Sequence, residues 1–183
     1  MNRIQFRDLV KGIAQSYPAD KPRQIQTFAV VANNNDYEAD NFVKNAKDLA
    51  DGDFWQRILA ANGNDANQLS VVYPSVTIAN RSETVTPDKY RLCQGVRQTW
   101  MVEVAAVKDG SCTDLYRSMS KLDFDLITQC RWIINQLFTS NSGNNDFIVE
   151  PIQINLYDTG KDGLRLAEFA VSFESDDIPS ELP

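Results

Sequence analysis

Apolar positions along the chain fall into two periods, and the alternation between them predicts the elements. Residues 3–16 place Ile4, Phe6, Leu9, Val10 and Ile13 on one side of a 3.6-residue repeat, which describes an opening amphipathic helix stopped by Pro18 and Pro22. The run Ile25-Gln26-Thr27-Phe28-Ala29-Val30-Val31-Ala32 is β-rich and apolar on both faces, so a fairly central strand is expected, ended by Asn33-Asn34-Asn35. Residues 37–62 read as two short helices broken at Asp51-Gly52-Asp53, the second capped by Asp53. Residues 69–79 resume strand character around Pro74, which implies an edge strand or a bulge.

Residues 80–96 are polar and predict an exposed arm or long hairpin connection. Residues 99–108 then alternate, with Trp100, Val102, Val104 and Ala106 on the greasier face. A turn at Asp109-Gly110-Ser111 leads to a long helix over 123–139, where Leu126, Ile127, Cys130, Ile133, Ile134, Leu137 and Phe138 form the stripe. Asp123 is the expected cap and Asp125 suits the positive helix start. A closing hairpin follows, 148–157 against 164–173, around Asp158-Thr159-Gly160-Lys161-Asp162-Gly163. Its two glycines sit where a hairpin needs positive φ. Leu164 and Leu166 have the opposite parity to Phe169, Val171 and Phe173, which predicts a bulge or sharp twist near 165–168.

Strands outnumber long helices and the last pair is antiparallel. The expected fold is therefore α+β: a small, mostly antiparallel sheet packed against a long helix in the C-terminal half and an N-terminal helix. Residues 1–175 read as one domain, with a helical insertion at 36–62 and the exposed arm at 80–96, followed by a flexible acidic tail at 176–183. With 43% apolar and 23% charged residues in 183, a real core is expected. No apolar run approaches the roughly 18 residues a membrane helix needs. The opening residues mix charge into apolar positions and do not read as a secretory signal, so cytoplasmic synthesis without export is the expectation.

The formal charge of −7 is unevenly spread. Residues 1–23 carry five basic groups against two acids, a net +3, whereas residues 158–183 carry seven acids against two bases, a net −5. Such asymmetry suits head-to-tail steering of copies, although a solvated helix and a frayed acidic tail explain it more simply. The candidate subunit-interface residues on this basis are Arg3, Arg7, Lys11, Lys89, Arg91, Arg97, Asp176 and Asp177.

Reactive chemistry is poorly represented. The absence of histidine removes Ser-His-Asp and Cys-His catalysis, and there is no nucleophile elbow, phosphate-binding loop or dinucleotide fingerprint. Cys93, Cys112 and Cys130 lack zinc-site spacing and read as reduced thiols, with Cys130 a core residue. The acidic groups Asp36/Glu38/Asp40, Asp51/Asp53 and Asp158/Asp162 match no twelve-residue calcium loop and read as caps and turns. No cofactor, metal or catalytic residue is expected. A basic arm with Lys89, Arg91 and Arg97 beside Tyr90 and Trp100 could pair with nucleic acid, but an acidic chain is a poor duplex binder.

The order of an amphipathic N-terminal helix, a long strand ending in residues 100–107, a late helix over 123–138, then Pro151-Ile152-Gln153-Ile154-Asn155-Leu156-Tyr157-Asp158 and Phe169-Ala170-Val171-Ser172-Phe173, resembles the tail-terminator and tail-completion ring proteins of tailed bacteriophages. The resemblance is one of element order over about two-thirds of the chain. The segments 36–62 and 80–96 depart from it. It implies a structural virion protein, made in the host cytoplasm, that closes into a sixfold or twelvefold ring in the neck or tail. Its partners would be copies of itself and other neck, tail or portal-complex proteins, with DNA passing through unbound. The rival reading is a small enzyme or ligand-binding domain using carboxylates and Tyr, with Trp55, Tyr73, Tyr90 and Trp100 lining a pocket.

Overall fold

The computed structural model describes residues 1–31, 37–42, 73–86, 95–140, 147–159 and 163–175. Its α+β architecture matches the expected class. Helix α1 (Arg3–Gln15) is followed by β1 (Thr27–Val31), β2 (Tyr37–Asn41), β3 (Ser75–Thr86) and β4 (Gly95–Val107). A 3-10 turn at Gly110–Cys112 and a miniature hairpin, β5 (Leu115–Tyr116) and β6 (Met119–Ser120), lead into helix α2 (Lys121–Ser140). Strands β7 (Asn155–Asp158) and β8 (Leu164–Ser175) complete a six-stranded sheet in the order β2-β1-β3-β4-β8-β7. Only β1 and β3 pair in parallel; the other neighbours are antiparallel.

Both helices lie against one face of this sheet. Helix α1 starts with a reciprocal capping box: Gln5 N–H donates to the Asn2 side chain while Asn2 N–H donates to Gln5 Oε1, each at 2.8 Å. It buries Phe6, Val10, Ile13 and Ala14. Ile4, expected on that stripe, is 61% exposed because it lies two residues before Phe6, nearly across the helix. Helix α2 buries Leu122, Leu126, Cys130, Ile133 and Leu137, each at 0–1% exposure. That is a strict three-and-four spacing, and full burial of each aliphatic side chain contributes roughly 1.5–3 kcal/mol. The helix caps at Ser120, whose Oγ accepts from Asp123 N–H at 3.1 Å, three residues earlier than the expected cap Asp123. Asp123 is thereby freed to hold Arg165 in a bidentate pair.

From the sheet, Phe28, Val76, Ile78, Val102, Val104, Ala167, Phe169, Val171 and Phe173 meet the helices. Phe6 sits at the centre of an aromatic cluster, with ring centroids 5.3 Å from Trp100, 5.0 Å from Phe173 and 6.2 Å from Phe147. The Trp100 indole donates to Gln98 Oε1, and Gln98 Nε2 donates to Glu83, which also pairs with Arg3 at the start of α1. A fully buried glutamine is thus satisfied at both ends.

Several expectations change. Residues 37–41, the start of the supposed helical insertion, form the edge strand β2 against β1; the rest of 36–62 lies outside the described residues apart from Phe42. The polar segment 80–96 is not a simple arm. Strand β3 runs to Thr86 and β4 begins at Gly95, and the two form a long hairpin whose residues 80–85 are exposed. Cross-strand backbone pairing holds a polar strand as readily as an apolar one, so hydropathy alone concealed it. Pro74 precedes the first residue of an interior strand, where no ladder N–H is lost, and the bulge falls instead between Asn80 and Ser82.

Of the bulge or sharp twist expected near 165–168, the bulge is absent, because β8 pairs with β4 in unbroken register from Leu164 to Ser175. Leu164 and Leu166 simply occupy the second face, beside Val107 and Ala105. Residues 148–154 are not a regular strand. Ile148 N–H donates to the Ser172 carbonyl at 2.9 Å and β7 resumes pairing only at Glu168, so the intervening chain bows away from the β8 edge. Gly163 takes φ 63° as the turn requires, while Gly160 lies outside the described residues.

Candidate functional site

Three constellations stand out, and the first surrounds Arg23. This residue has φ 59°, an uncommon conformation for a non-glycine. Its guanidinium donates to Asp109 Oδ2 at 2.9 Å and Oδ1 at 3.2 Å, to Asp125 Oδ2 at 3.0 Å, and to Ser111 Oγ. The fully buried Gln129 donates to the Arg23 carbonyl. Burial alone would raise the Asp109 carboxyl, but hydrogen bonds from Arg23 and Ser111 with the Arg23 charge outweigh it and hold the group at about 2. The network ties residues 18–25 and the turn after β4 to α2, and the Arg23 guanidinium is engaged internally by Asp109, Asp125 and Ser111, while the buried Gln129 Oε1 has no hydrogen-bond partner among the described residues. Its chemistry is that of a clamp.

The second lies on the sheet face opposite the helices. Glu103 and Glu168 stand directly opposite each other on β4 and β8, and the Tyr157 hydroxyl donates to Glu168 Oε1 at 2.8 Å. Burial first, and the Glu168 charge second, raise the Glu103 carboxyl. The hydrogen bond to Glu168 raises the Tyr157 phenol. Among the described residues no group of three or more Cys, Asp or Glu side chains is placed to hold a metal ion.

The third is a surface groove of 710 Å³ between α2 and the chain after Phe147, whose apolar lining includes Ile134, Phe138, Ile152 and the exposed Val149 and whose polar lining is Arg131, Asn135 and Glu150. Bowing of residues 149–154 away from β8 opens a second recess of 390 Å³ around Ala170, at the edge of which Arg97 donates to Glu150 at 2.8 Å. Three of the seven residues of the α2 stripe read from the sequence, Ile127, Ile134 and Phe138, line the larger groove, and Ile134 and Phe138 also pack against the core.

The charged residues singled out from sequence do not converge. Arg3 pairs with Glu83, Arg7 with its neighbour Asp8, and Arg97 with Glu150, all within the molecule. Lys11 lies half-buried on α1. Lys89, Arg91, Asp176 and Asp177 lie outside the described residues. The aromatic pocket fares no better: Trp100 is a core residue, Tyr73 is half-buried before β3, and Trp55 and Tyr90 lie outside the described residues. Of the acidic groups, Asp158 pairs with Lys108. Glu38 and Asp40 fall on β2, and Asp36, Asp51, Asp53 and Asp162 lie outside the described residues. Cys130 is buried, as read, and burial pushes its thiol up to about 12, the state of an inert core residue; Cys112 is a half-buried free thiol and Cys93 lies outside the described residues.

What the sequence did not single out is the Arg23–Asp109–Asp125 clamp and the groove. The clamp joins residues 86 and 102 positions apart, and no local spacing announces it. The signal for the groove was the excess width of the α2 stripe. Among the described residues no helix is long and apolar enough to cross a membrane. No protein-family model matches the chain, and no curated protein matches it either.

Proposed function

We propose that this chain is a structural subunit of a ring in the neck or tail of a tailed bacteriophage, working by mated surfaces rather than by reactive side chains. The observation that carries the reading is the character of the two concavities seen among the described residues: the larger is an open groove, mainly apolar in its lining, with only two charged lining residues, Arg131 and Glu150. An enzyme of the carboxylate-using kind needs convergent polar groups in an enclosed pocket. The order of helix, strands, long hairpin, late helix and closing hairpin agrees with the ring-protein resemblance. A chain of net charge −7 lining a channel repels phosphate within the roughly 8 Å Debye length at physiological salt, so DNA slides through unbound.

Native mass spectrometry with negative-stain imaging tests this. The expected result is closed particles of six or twelve copies of the 20.6 kDa chain, without salt-sensitive duplex binding. Particles that stay at one copy at every soluble concentration would count against it. The rival, a carboxylate-using binding domain, draws on Glu103, Glu168 and Tyr157, and predicts a ligand whose affinity falls at least tenfold in Glu168→Gln.

A further inference from the structure

The miniature hairpin before α2 is built to be presented rather than buried. Its two-residue turn places Arg117 at φ 48° and Ser118 at φ 70°, a mirror-image turn that ordinarily calls for Gly or Asn. Strain of this kind persists where surrounding contacts over-determine it. Here they do: Tyr116 packs on Phe124 with centroids 4.4 Å apart, Arg117 lies 5.3 Å over the Tyr116 ring, and Lys121 N–H donates to the Asp114 carbonyl at 2.8 Å. What this rigid tip offers to solvent is Leu115, 82% exposed. Asp114 and Arg117 flank it, both exposed, and among the described residues neither side chain has an ion-pair partner.

The groove on α2 is its chemical complement. Its apolar lining, which includes Val149 at 86% exposure, adjoins the cation Arg131, which has no ion-pair partner among the described residues, and the half-exposed carboxylate of Glu150, whose Oε1 accepts from Arg97. The tip reads acid, apolar, base; the groove reads base, apolar, acid. Within its own chain the tip is held beside Phe124, outside the groove lining. It enters α2 at Lys121, whereas the groove residues Ile127 to Phe138 lie roughly 9 to 26 Å further along the helix axis.

We infer that the 114–117 tip of one copy docks into the α2 groove of the next, Leu115 seated on Ile134, Phe138 and Val149, Asp114 facing Arg131 and Arg117 facing Glu150. The contact is heterologous, using two different patches of the same chain, which is the geometry that closes into rings when the rotation permits. It rests on the ring reading above and names the surfaces that reading requires. Like the hot spots of other interfaces, it places one well-anchored apolar group inside a charged rim that excludes water.

Paired cysteines test the contact on the full chain. Both sites are solvent-facing, so Leu115→Cys and Val149→Cys leave the core intact. Mixed single variants should form a disulfide-linked dimer on mild oxidation, and the double variant a ladder of linked copies, while either single variant alone should not. Leu115→Glu should raise the dissociation constant of the assembly at least tenfold with an unchanged circular dichroism spectrum. Assembly that persists in Leu115→Glu, without cross-linking in the mixture, would overturn this pairing and leave the ring reading standing. A wild-type chain that stays at one copy at every concentration would end both.

Discussion

Arg23→Met isolates the clamp that ties the chain after α1 to α2. The Arg23 side chain is 15% exposed and that of Asp125 7%, so the substitution strands a carboxylate in a nearly dry site. Removing one partner of a buried ion pair costs about 3–5 kcal/mol, most of it from the charge left behind. The Asp109 half of the clamp contributes less. Its depression from 3.8 to about 2 corresponds to about 2.4 kcal/mol at full strength, and because that side chain is 38% exposed, solvent screening reduces it to about 1 kcal/mol. A carboxylate whose folded value is lowered stabilises the protein above its unfolded value and loses that contribution as pH falls through the folded one. Ser111 keeps its hydrogen bonds to Asp109 in the variant, so wild type should surrender at most about 1 kcal/mol relative to Arg23→Met as pH drops from about 4 to about 2. Urea melts followed by circular dichroism, at fixed protein concentration, read both effects. In a double-mutant cycle with Asp125→Asn the two changes should couple strongly, the double variant recovering much of the loss. A cost below about 1 kcal/mol for Arg23→Met at pH 7, or strict additivity with Asp125→Asn, would refute the reasoning.

Three further outcomes follow from other parts of the fold. Phe6→Ala removes the hub of the aromatic cluster at 0% exposure and should cost about 3–5 kcal/mol, read as a lower urea midpoint with an unchanged slope. Glu103→Gln relieves a like-charge pair across β4 and β8 and should stabilise by about 0.2–1 kcal/mol near neutrality. Because the folded Glu103 value is raised, the charged form is what destabilises wild type, so the gain should fade as pH falls toward the ordinary carboxylate value of 4.5; a gain that persists at pH 4 would contradict the assignment. Asn2→Ala breaks the capping box and should cost about 1 kcal/mol in thermal or urea melts, while Asn2→Asp should keep most of the stability.

The periodic elements were legible from the letters because their burial is one-sided. The residues of α2 at positions 126, 130, 133 and 137, and those of β4 at 100, 102, 104 and 106, carry their partners' geometry in their own spacing. The α+β class followed from counting such elements, and the inert state of Cys130 from its place in the stripe. The strands β2 and β3 beyond Ala79 were not legible, since polar residues held by a neighbouring backbone leave no hydrophobic signal. Nor was the second face of the sheet, where Leu164 and Leu166 suggested a bulge and the register shows continuous pairing.

Charge was the least readable property. Composition marks Arg3 and Arg97 as available for partners, yet Glu83 and Glu150 engage them within the molecule. The tertiary structure leaves other charges, Asp114, Arg117 and Arg131, on the surface without an ion-pair partner among the described residues. Helix spacing and strand alternation are properties of consecutive residues, and a single sequence encodes them directly. Ion pairs across 53 to 102 positions, and a groove opened where the chain bows off a strand edge, depend on which distant segments meet, so only the folded chain decides them.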